Sequence, residues 1–541
     1  MIKKTVINSI PYLILVLIAS VMVFTVDGFM NIQMMKAIDA VTQMDRGLFQ
    51  SQLSNLVLLA LTLIPTSLAL AFAKGLYKKK AMVSGKKFFI EGIFKKDINQ
   101  FQSENTASYV SALTNDMANI EVNLIDGIYE VVVNFVNFTI GILVIAYVSP
   151  IALVAGVLLG IIGMGVSILM GIPLQKHQLK RSEFFKGYTA YIKEFLGAFH
   201  IIKANDLSEK VKVDFYNKSK DIQDRGYIID RIISYVSASQ NFLMMFIMYG
   251  LLAFSVYLTI KGELTLGGVI LVANSMDKIL NPLMQISEWV PKIMSTKGIL
   301  KNVDSLLVCD EVESKFQSFD TFASQLVLNQ VGFKYGETEV LNQTDLVFEF
   351  GKKYLVIGPS GGGKSTLLKL IRKYFQPIDG ELLMDQRNIA TIGYEDYYRQ
   401  LANIEQQIFV FEDTLKNNLC LYKNFTDVEI MEAVEKAGLN DFVDKHPDKL
   451  ERMILDNGKN ISGGEKSRIA IARGLLQKAR LLILDEALST LDSHTAKAVE
   501  KTLLELRDVT VINVSHVIFE ENKNDYDEIY MVKNKKVYAL S

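Results

Sequence analysis

Cysteine is almost missing from this chain. Only Cys309 and Cys420 occur, far apart, which excludes a disulfide framework and any zinc-binding spacing. The five histidines form no ligand pair. The net charge is −1, so no basic balance points to nucleic acid. Low-complexity tracts and internal repeats are absent as well. What the chain has in excess is apolar residues: 50% of its 541 positions are hydrophobic, and mean hydropathy is +0.22. That is too apolar for an ordinary soluble protein. With 22% charged residues it is too charged to lie wholly in lipid. One membrane half and one soluble half are expected.

Apolar runs give six expected spans. The first is Thr5–Val26, long enough to cross a bilayer and read as an uncleaved anchor, because no small-residue cleavage site follows it. The second lies in Gly47–Ala73. Two more fit in Val131–Gln175, with "VSP" (Val148–Pro150) as the turn between them. The fifth is Ile232–Ile260. The sixth runs from Leu264 to Trp289–Pro291 and is interrupted by Asp277 and Lys278. The links 74–130 and 176–231 are long, charged and helix-compatible. Lys74, Lys78, Lys79, Lys80, Lys86, Lys87, Lys95 and Lys96 place the first on the cytoplasmic side. Both links are expected to extend the spans as helices below the membrane. The lysines read as a solvated, membrane-proximal face.

From Leu326 the pattern changes to short apolar strands alternating with amphipathic helices, the mark of a mainly parallel α/β sheet. The expected division is a membrane helical bundle over 1–300, a linker over 301–325 and an α/β domain over 326–541. "YLVIGPSGGGKST" places an apolar strand, a glycine loop and a helix in order. Phosphates are bulky anions, so backbone N–H groups must come close, and side chains would block them. Gly358, Pro359, Ser360, Gly361, Gly362, Gly363, Lys364, Ser365 and Thr366 therefore form a phosphate-binding loop. Lys364 supplies a point charge for the β- and γ-phosphates, and Ser365 can ligate Mg²⁺. "LLILDEALSTLD" supplies the other half of a nucleotide site: a buried strand, then Asp485 to hold Mg²⁺ and Glu486 to take a proton from attacking water.

These residues resemble an ATP-binding cassette. "ISGGE", Ile461–Glu465, is similar to that family's second glycine motif. The resemblance implies that Ser462, Gly463 and Gly464 close over ATP held by a facing cassette, so that two chains share each ATP. It also implies that Gln406, in "IEQQIFVFEDTLKNN", senses Mg²⁺ and the attacking water. Asp492 of "STLD" is implied as the acid between facing sites, His516 of "INVSH" as a γ-phosphate contact, and Tyr335 of "VGFKYG" as an adenine stack. In the membrane half, "SYVSALTNDMANIE", with Leu113, Thr114, Asn115 and Asp116, resembles the first cytoplasmic loop of exporter-type members. "IIKANDLSEK" resembles the second, and "GELTLGGVI" the start of the sixth span. The whole chain is thus similar to a type IV exporter half-transporter. The departures are Glu465 for the usual Gln, Ile461 for Leu, Asp456 where Glu often sits, and Thr490 and Leu488 where smaller residues are common.

The function so implied is ATP-driven transport by alternating access. Hydrolysis needs ATP and Mg²⁺, and the expected partner is a second copy of the chain or, second in line, a paralogous half-transporter. The expected location is a bacterial plasma membrane, multi-pass, with the cassette in the cytoplasm and no nucleic-acid partner. Export of an amphipathic small molecule or small peptide stands first. Lipid flipping, import and an ATP-gated channel remain open. No peptidase segment precedes the first span, so peptide maturation is not expected. A nontransporting ATPase acting on nucleic acid is disfavoured by the six spans. Candidate cavity residues are Asn134 and Asn137, then Ser237, Gln240 and Asn241, then Asn274, Asp277, Lys278 and Asn281. Interhelical hydrogen bonds, or a local Asp277–Lys278 pair, would account for the same residues. Met244, Met245 and Met248 read as core packing or a pliable wall.

Overall fold

The computed structural model describes residues 2–162, 165, 188, 191–308, 316–405, 408–516 and 518–540. Cys309, Gln406, the later part of the fourth expected span (163–164 and 166–175) and the side chain of Gln240 lie outside the described residues. The chain divides into two compact units. One holds 1–96 and 100–309, the other 97–99 and 310–541.

Long helices make the first unit: α1 (Ile2–Thr42), α2 (Arg46–Ile93), α3 (Thr106–Val148), α4 (Pro150–Ile162), α5 (Ser208–Ile260) and α6 (Leu266–Ser305). Four of them, in α1, α2, α3 and α5, are long and apolar enough to cross a membrane. The helix α4 is apolar but short within the described residues. The helix α6 carries polar residues along its length.

At about 1.5 Å per residue, α2 and α5 run roughly 72 and 80 Å. A hydrocarbon core of about 30 Å therefore leaves long extensions outside it. Within α3, Ala112–Asp116 and Ile120–Ile125 wind as π-turns, and the first contains the "LTND" residues. Two of the clustered lysines are tied across helices. Lys78 meets Asp126 at 2.9 Å and Glu121 at 3.2 Å, and Lys74 meets Glu130 at 3.4 Å. Where water reaches such pairs each is worth at most about 1 kcal/mol, so they orient α2 on α3 more than they hold it there.

The short turn at Lys261–Thr265 is pinned at its far side. Thr265 caps α6 by accepting from the Gly268 N–H at 3.0 Å. Asp39 of α1 accepts from the Gly267 N–H at 2.8 Å and from the Thr265 hydroxyl at 2.9 Å. These ends of α1 and α6 therefore lie at one level.

The second unit is built on two sheets. An antiparallel sheet has the order β2-β1-β4-β5, from Gln325–Tyr335 (β1), Thr338–Glu349 (β2), Asp379–Met384 (β4) and Arg387–Asn388 (β5). A six-stranded sheet has the order β12-β11-β3-β10-β9-β6. Its strands are Lys353–Ile357 (β3), Leu401–Ile404 (β6), Leu481–Asp485 (β9), Thr510–Val514 (β10), Glu528–Lys533 (β11) and Lys536–Leu540 (β12). All its pairings are parallel except β11–β12. The remaining two strands, β7 (Asp413–Thr414) and β8 (Met453–Ile454), pair with each other.

The unbroken run "LLIL" in β9 follows from burial on both faces. Leu481 and Ile483 enter one core with Val356, Ile512 and Val514. Leu482 and Leu484 enter the other with Ala402, Ile404 and Val511. Each such side chain contributes about 1.5–3 kcal/mol of burial.

Candidate functional site

The parallel strands bring their C-terminal ends to one edge, where open α/β sheets hold their ligands. Val514 pairs with Asp485 across β10 and β9, and the Ser515 N–H donates to Val356 of β3 at 3.2 Å. Gly358 after β3, Glu486 after β9 and His516 after β10 are therefore delivered side by side.

Gly358 has φ +153°, and a Cβ there would lie 2.2 Å from the Val532 carbonyl oxygen of β11, so no other residue fits. Gly363 (φ +108°) opens α7 (Lys364–Ile371) with no side-chain cap. The first N–H groups of α7 thus take no hydrogen bond from a capping side chain, and the helix dipole favours an anion there. Lys364 is buried and folds back over its own loop. Its Nζ donates to the carbonyls of Gly358 (2.9 Å) and Pro359 (3.2 Å) and lies 3.4 Å from His516 Nε2. Burial pushes the Lys364 pKa down, while the charges of Glu486 and Asp485 pull it back up. A charged amine held over a donor-rich loop fits a polyphosphate.

Glu486 adopts φ +52°, a left-handed conformation uncommon for its type. Its N–H still donates to the Val514 carbonyl at 2.9 Å, which anchors the turn to β10. Its Oε1 sits 2.7 Å from His516 Nε2. Asp485 is mostly buried, which raises its pKa. Against that stands Arg372, whose Nη1 donates to Asp485 Oδ2 at 3.1 Å. Asp485 Oδ1 takes no hydrogen bond among the described residues. With the exposed Ser365 hydroxyl it offers the oxygen donors a hard divalent cation prefers. Ser360 and Gly361 are exposed and Thr366 is buried.

Arg372 was not singled out from sequence. Its side chain is only 4% exposed and also approaches Glu405 at 4.0 Å. Tyr374 donates its hydroxyl to the same Glu405 at 2.8 Å, next to the undescribed Gln406. No local signal marks Arg372, which lies 113 residues from Asp485.

The second glycine motif opens α8 (Gly463–Leu476) as a capping box. Ser462 Oγ accepts from the Glu465 N–H at 3.3 Å, and Glu465 Oε2 accepts from the Ser462 N–H at 2.6 Å. Thr490, a departure noted in the sequence, hydrogen-bonds Ser467 of α8 at 2.6 Å. It thereby ties the "STLD" turn to this helix. Asp492 caps α9 (Ser493–Leu504) by accepting from the Thr495 N–H at 2.9 Å, and these bonds hold its carboxyl below the usual range. Among the described residues no hydrogen bond joins Ser462, Gly463 or Gly464 to the loop at 358–366. Tyr335, at the end of β1, is 44% exposed and packs edge-on against Phe333 and Phe375, 5.1 and 5.6 Å between centroids.

In the membrane unit, Lys278 does not pair with Asp277. It is buried and forms an ion pair with Asp27 of α1. Asn134 donates to Gln285 of α6 at 3.0 Å, an interhelical bond. Asp277 is exposed and accepts from Asn281 at 2.5 Å. Asn137 Oδ1 is buried without a hydrogen bond. Ser237 and Asn241 are exposed, as are Met245 and Met248.

Comparison with known proteins covers both halves of the chain. Residues 341–489 match the family model described as ABC transporter, and residues 13–283 match the ABC transporter transmembrane region. A multidrug resistance ABC transporter ATP-binding and permease protein of Lactococcus lactis subsp. lactis is 27% identical over 390 residues, 70% of this chain. The chain spans 65% of that relative's length. A probable ABC transporter ATP-binding/permease protein of Haemophilus influenzae is 30% identical over 443 residues, 77% of this chain and 76% of its own. The solved structure of a bacterial Atm1-family ABC exporter with ATP bound superposes with a TM-score of 0.80 at 18% identity, covering 99% of this chain and 94% of that one.

Proposed function

This chain belongs to the ABC transporter family, and we propose that it is an ATP-driven exporter half-transporter acting as a homodimer in a bacterial plasma membrane, its cassette in the cytoplasm. The cargo we assign is an amphipathic small molecule, in keeping with the word multidrug in the Lactococcus relative's name, with a small peptide second. The observation that carries the reading is the convergence of Lys364, Asp485, Glu486 and His516 on one sheet edge, in a chain whose other half is long apolar helices.

The loop from Gly358 to Thr366 cradles the phosphates with its N–H groups, and Lys364 exchanges its two carbonyl partners for β- and γ-oxygens. Tyr335 stacks on the adenine with its open face. Ser365 and Asp485, joined by Gln406, hold Mg²⁺, which when bound offsets phosphate charge. Glu486 Oε1 accepts the proton of the attacking water, and His516 Nε2 steadies that carboxylate and contacts the γ-phosphate. Ser462, Gly463 and Gly464 come from the facing chain, with Asp492 at the contact. Their helix N-terminus meets the γ-phosphate from the other side. Closure of two such cassettes turns the membrane cavity outward, and hydrolysis resets it.

The test is ATP hydrolysis by the chain alone, purified into lipid nanodiscs, beside Glu486→Gln. Turnover by the wild type and its loss in the variant support two self-sufficient composite sites. ATP binding without turnover in the wild type would mean that a partner chain, or an obligatory substrate, must complete the machine; turnover restored only by a second gene product would sink the homodimer.

A further inference from the structure

The face that α6 leaves exposed is polar. Asn274, Asp277, Gln285 and Glu288 are exposed and Asn281 is half-buried, at helical spacings of three and four, so they form one stripe. The level of this stripe follows from the pinned ends of α1 and α6. Gly267 meets Asp39 at the loop end, and Asp277 lies about ten residues further along, roughly 15 Å of helix. That is about half of a 30 Å hydrocarbon core, so Asp277 sits near mid-depth. Acyl chains cannot solvate a carboxylate there, and such side chains face a water-filled cavity.

The charges near this level do not cancel. Lys278, the cation adjacent in sequence, points to α1 and is neutralised by Asp27. Lower on the helix, Glu288 is matched by Lys292 at 2.5 Å. Asp277 has only the Asn281 amide, a neutral donor, as partner among the described residues. Among the described residues, one uncompensated negative charge per chain therefore stands at mid-depth, beside amide donors and acceptors at Asn274 and Asn281.

We propose that this stripe is a cargo site for a monovalent organic cation, with Asp277 as the counter-charge. The proposal rests on the exporter reading above and narrows its cargo class. Asp277 would meet the cation's charge, Asn274 and Asn281 its hydrogen-bonding groups. Lys278 and Asp27 would take no direct part, being committed to each other between α1 and α6.

The experiment uses the full chain in nanodiscs and equilibrium binding of tetraphenylphosphonium, with the same-shaped anion tetraphenylborate as control and empty nanodiscs subtracted. The phosphonium is expected to bind at least about tenfold more tightly than the borate, since one charge contact can supply that factor. Asp277→Asn is expected to weaken phosphonium binding about tenfold, and Asp277→Glu to retain most of it. Equal binding of the two ions, or unchanged binding by Asp277→Asn, overturns the proposal. So does a variant that changes oligomeric state and leaves the cation's affinity alone, because the stripe is then a contact between copies. If Asp277→Asn does not fold, the wild-type preference between the two ions decides by itself. A wild type that hydrolyses ATP without preferring the cation sinks this inference and spares the exporter reading. A wild type that prefers the cation but, with ATP bound, does not hydrolyse it even in the cation's presence counts against the exporter reading and leaves Asp277 as a cation-binding residue without a cargo role.

Discussion

Glu486 Oε1 and His516 Nε2 lie 2.7 Å apart, although 30 positions separate them in the chain. Their strands β9 and β10 are parallel neighbours, and each residue leaves its strand at the same edge. On the proposed mechanism the two residues have separate duties, Glu486 as the proton acceptor and His516 as its support. Glu486→Gln removes the proton acceptor but keeps a side chain of the same shape. It should lower ATP turnover by roughly 10²–10⁴ while ATP still binds. His516→Ala leaves the acid in place but unsteadied, and should cost less. Phosphate release from the purified variants measures both. Equal losses in the two would mean that His516 is as necessary to the step as Glu486, the pair acting as one unit.

Two chains per ATP is a separate claim with its own check. Lys364→Ala should disable the loop, and Ser462→Arg should block the helix N-terminus that the proposed mechanism sets against a facing site. Neither variant should hydrolyse ATP alone. Mixed dimers contain one site with both parts intact, so co-purified differently tagged chains should regain measurable turnover. Silence in the mixture, with both chains present in the dimer, would place Ser462 outside the facing site.

Much of this was legible in the sequence where the signal is local. The phosphate loop needs strand, glycines, lysine and helix in immediate succession, and covalent order alone puts them together. The run Leu481–Leu484 reads as a doubly buried strand because its alternate residues enter two cores. Distance in sequence hid the rest. Nothing near Arg372 announces its bond to Asp485, and nothing in "LVLNQVGFKY" announces that β1 is an inner strand of an antiparallel sheet. The Asp277–Lys278 pair failed for a geometric reason. Consecutive helical residues point about 100° apart, so Lys278 turns inward to Asp27 while Asp277 stays on the exposed face.

Glu465 stands where the family pattern has glutamine, and its carboxylate accepts the Ser462 N–H at 2.6 Å. A negative charge at this helix start suits the dipole but opposes a facing γ-phosphate. Glu465→Gln keeps an acceptor for the capping box and removes the charge. The helix should lose only a few tenths of a kcal/mol, while ATP-driven closure gains about 1 kcal/mol, the Coulomb scale for charges about 4 Å apart in water. In a Glu486→Gln background, where hydrolysis is expected to be lost while ATP still binds, the closed dimer should therefore form at about fivefold lower ATP. Raising the salt should shrink the difference. An unchanged ATP requirement would mean that the carboxylate stays clear of the phosphate.

Lys373 provides a pH test of the second unit. It follows α7, is buried, donates to the Ile392 carbonyl at 2.5 Å and lies 4.2 Å from the Tyr394 ring centroid. Burial pushes its pKa down from 10.5 to about 8. Between those values the unfolded chain holds a proton that the folded chain has released. The unfolded state binds more protons there, so stability rises with pH from about 8 toward 10.5, and the full penalty applies below 8. Lys373→Met should remove this rise and stabilise the protein most near neutral pH. The buried thiol of Cys420 reports unfolding of this unit, through a thiol-reactive dye during heating in a Cys309→Ser background. Comparing variant and parent at each pH cancels the dye's own pH dependence. The gap in midpoint should be widest at pH 7 and should close toward pH 10. A gap that stays constant across that range would mean that the amine keeps its ordinary pKa in the folded chain.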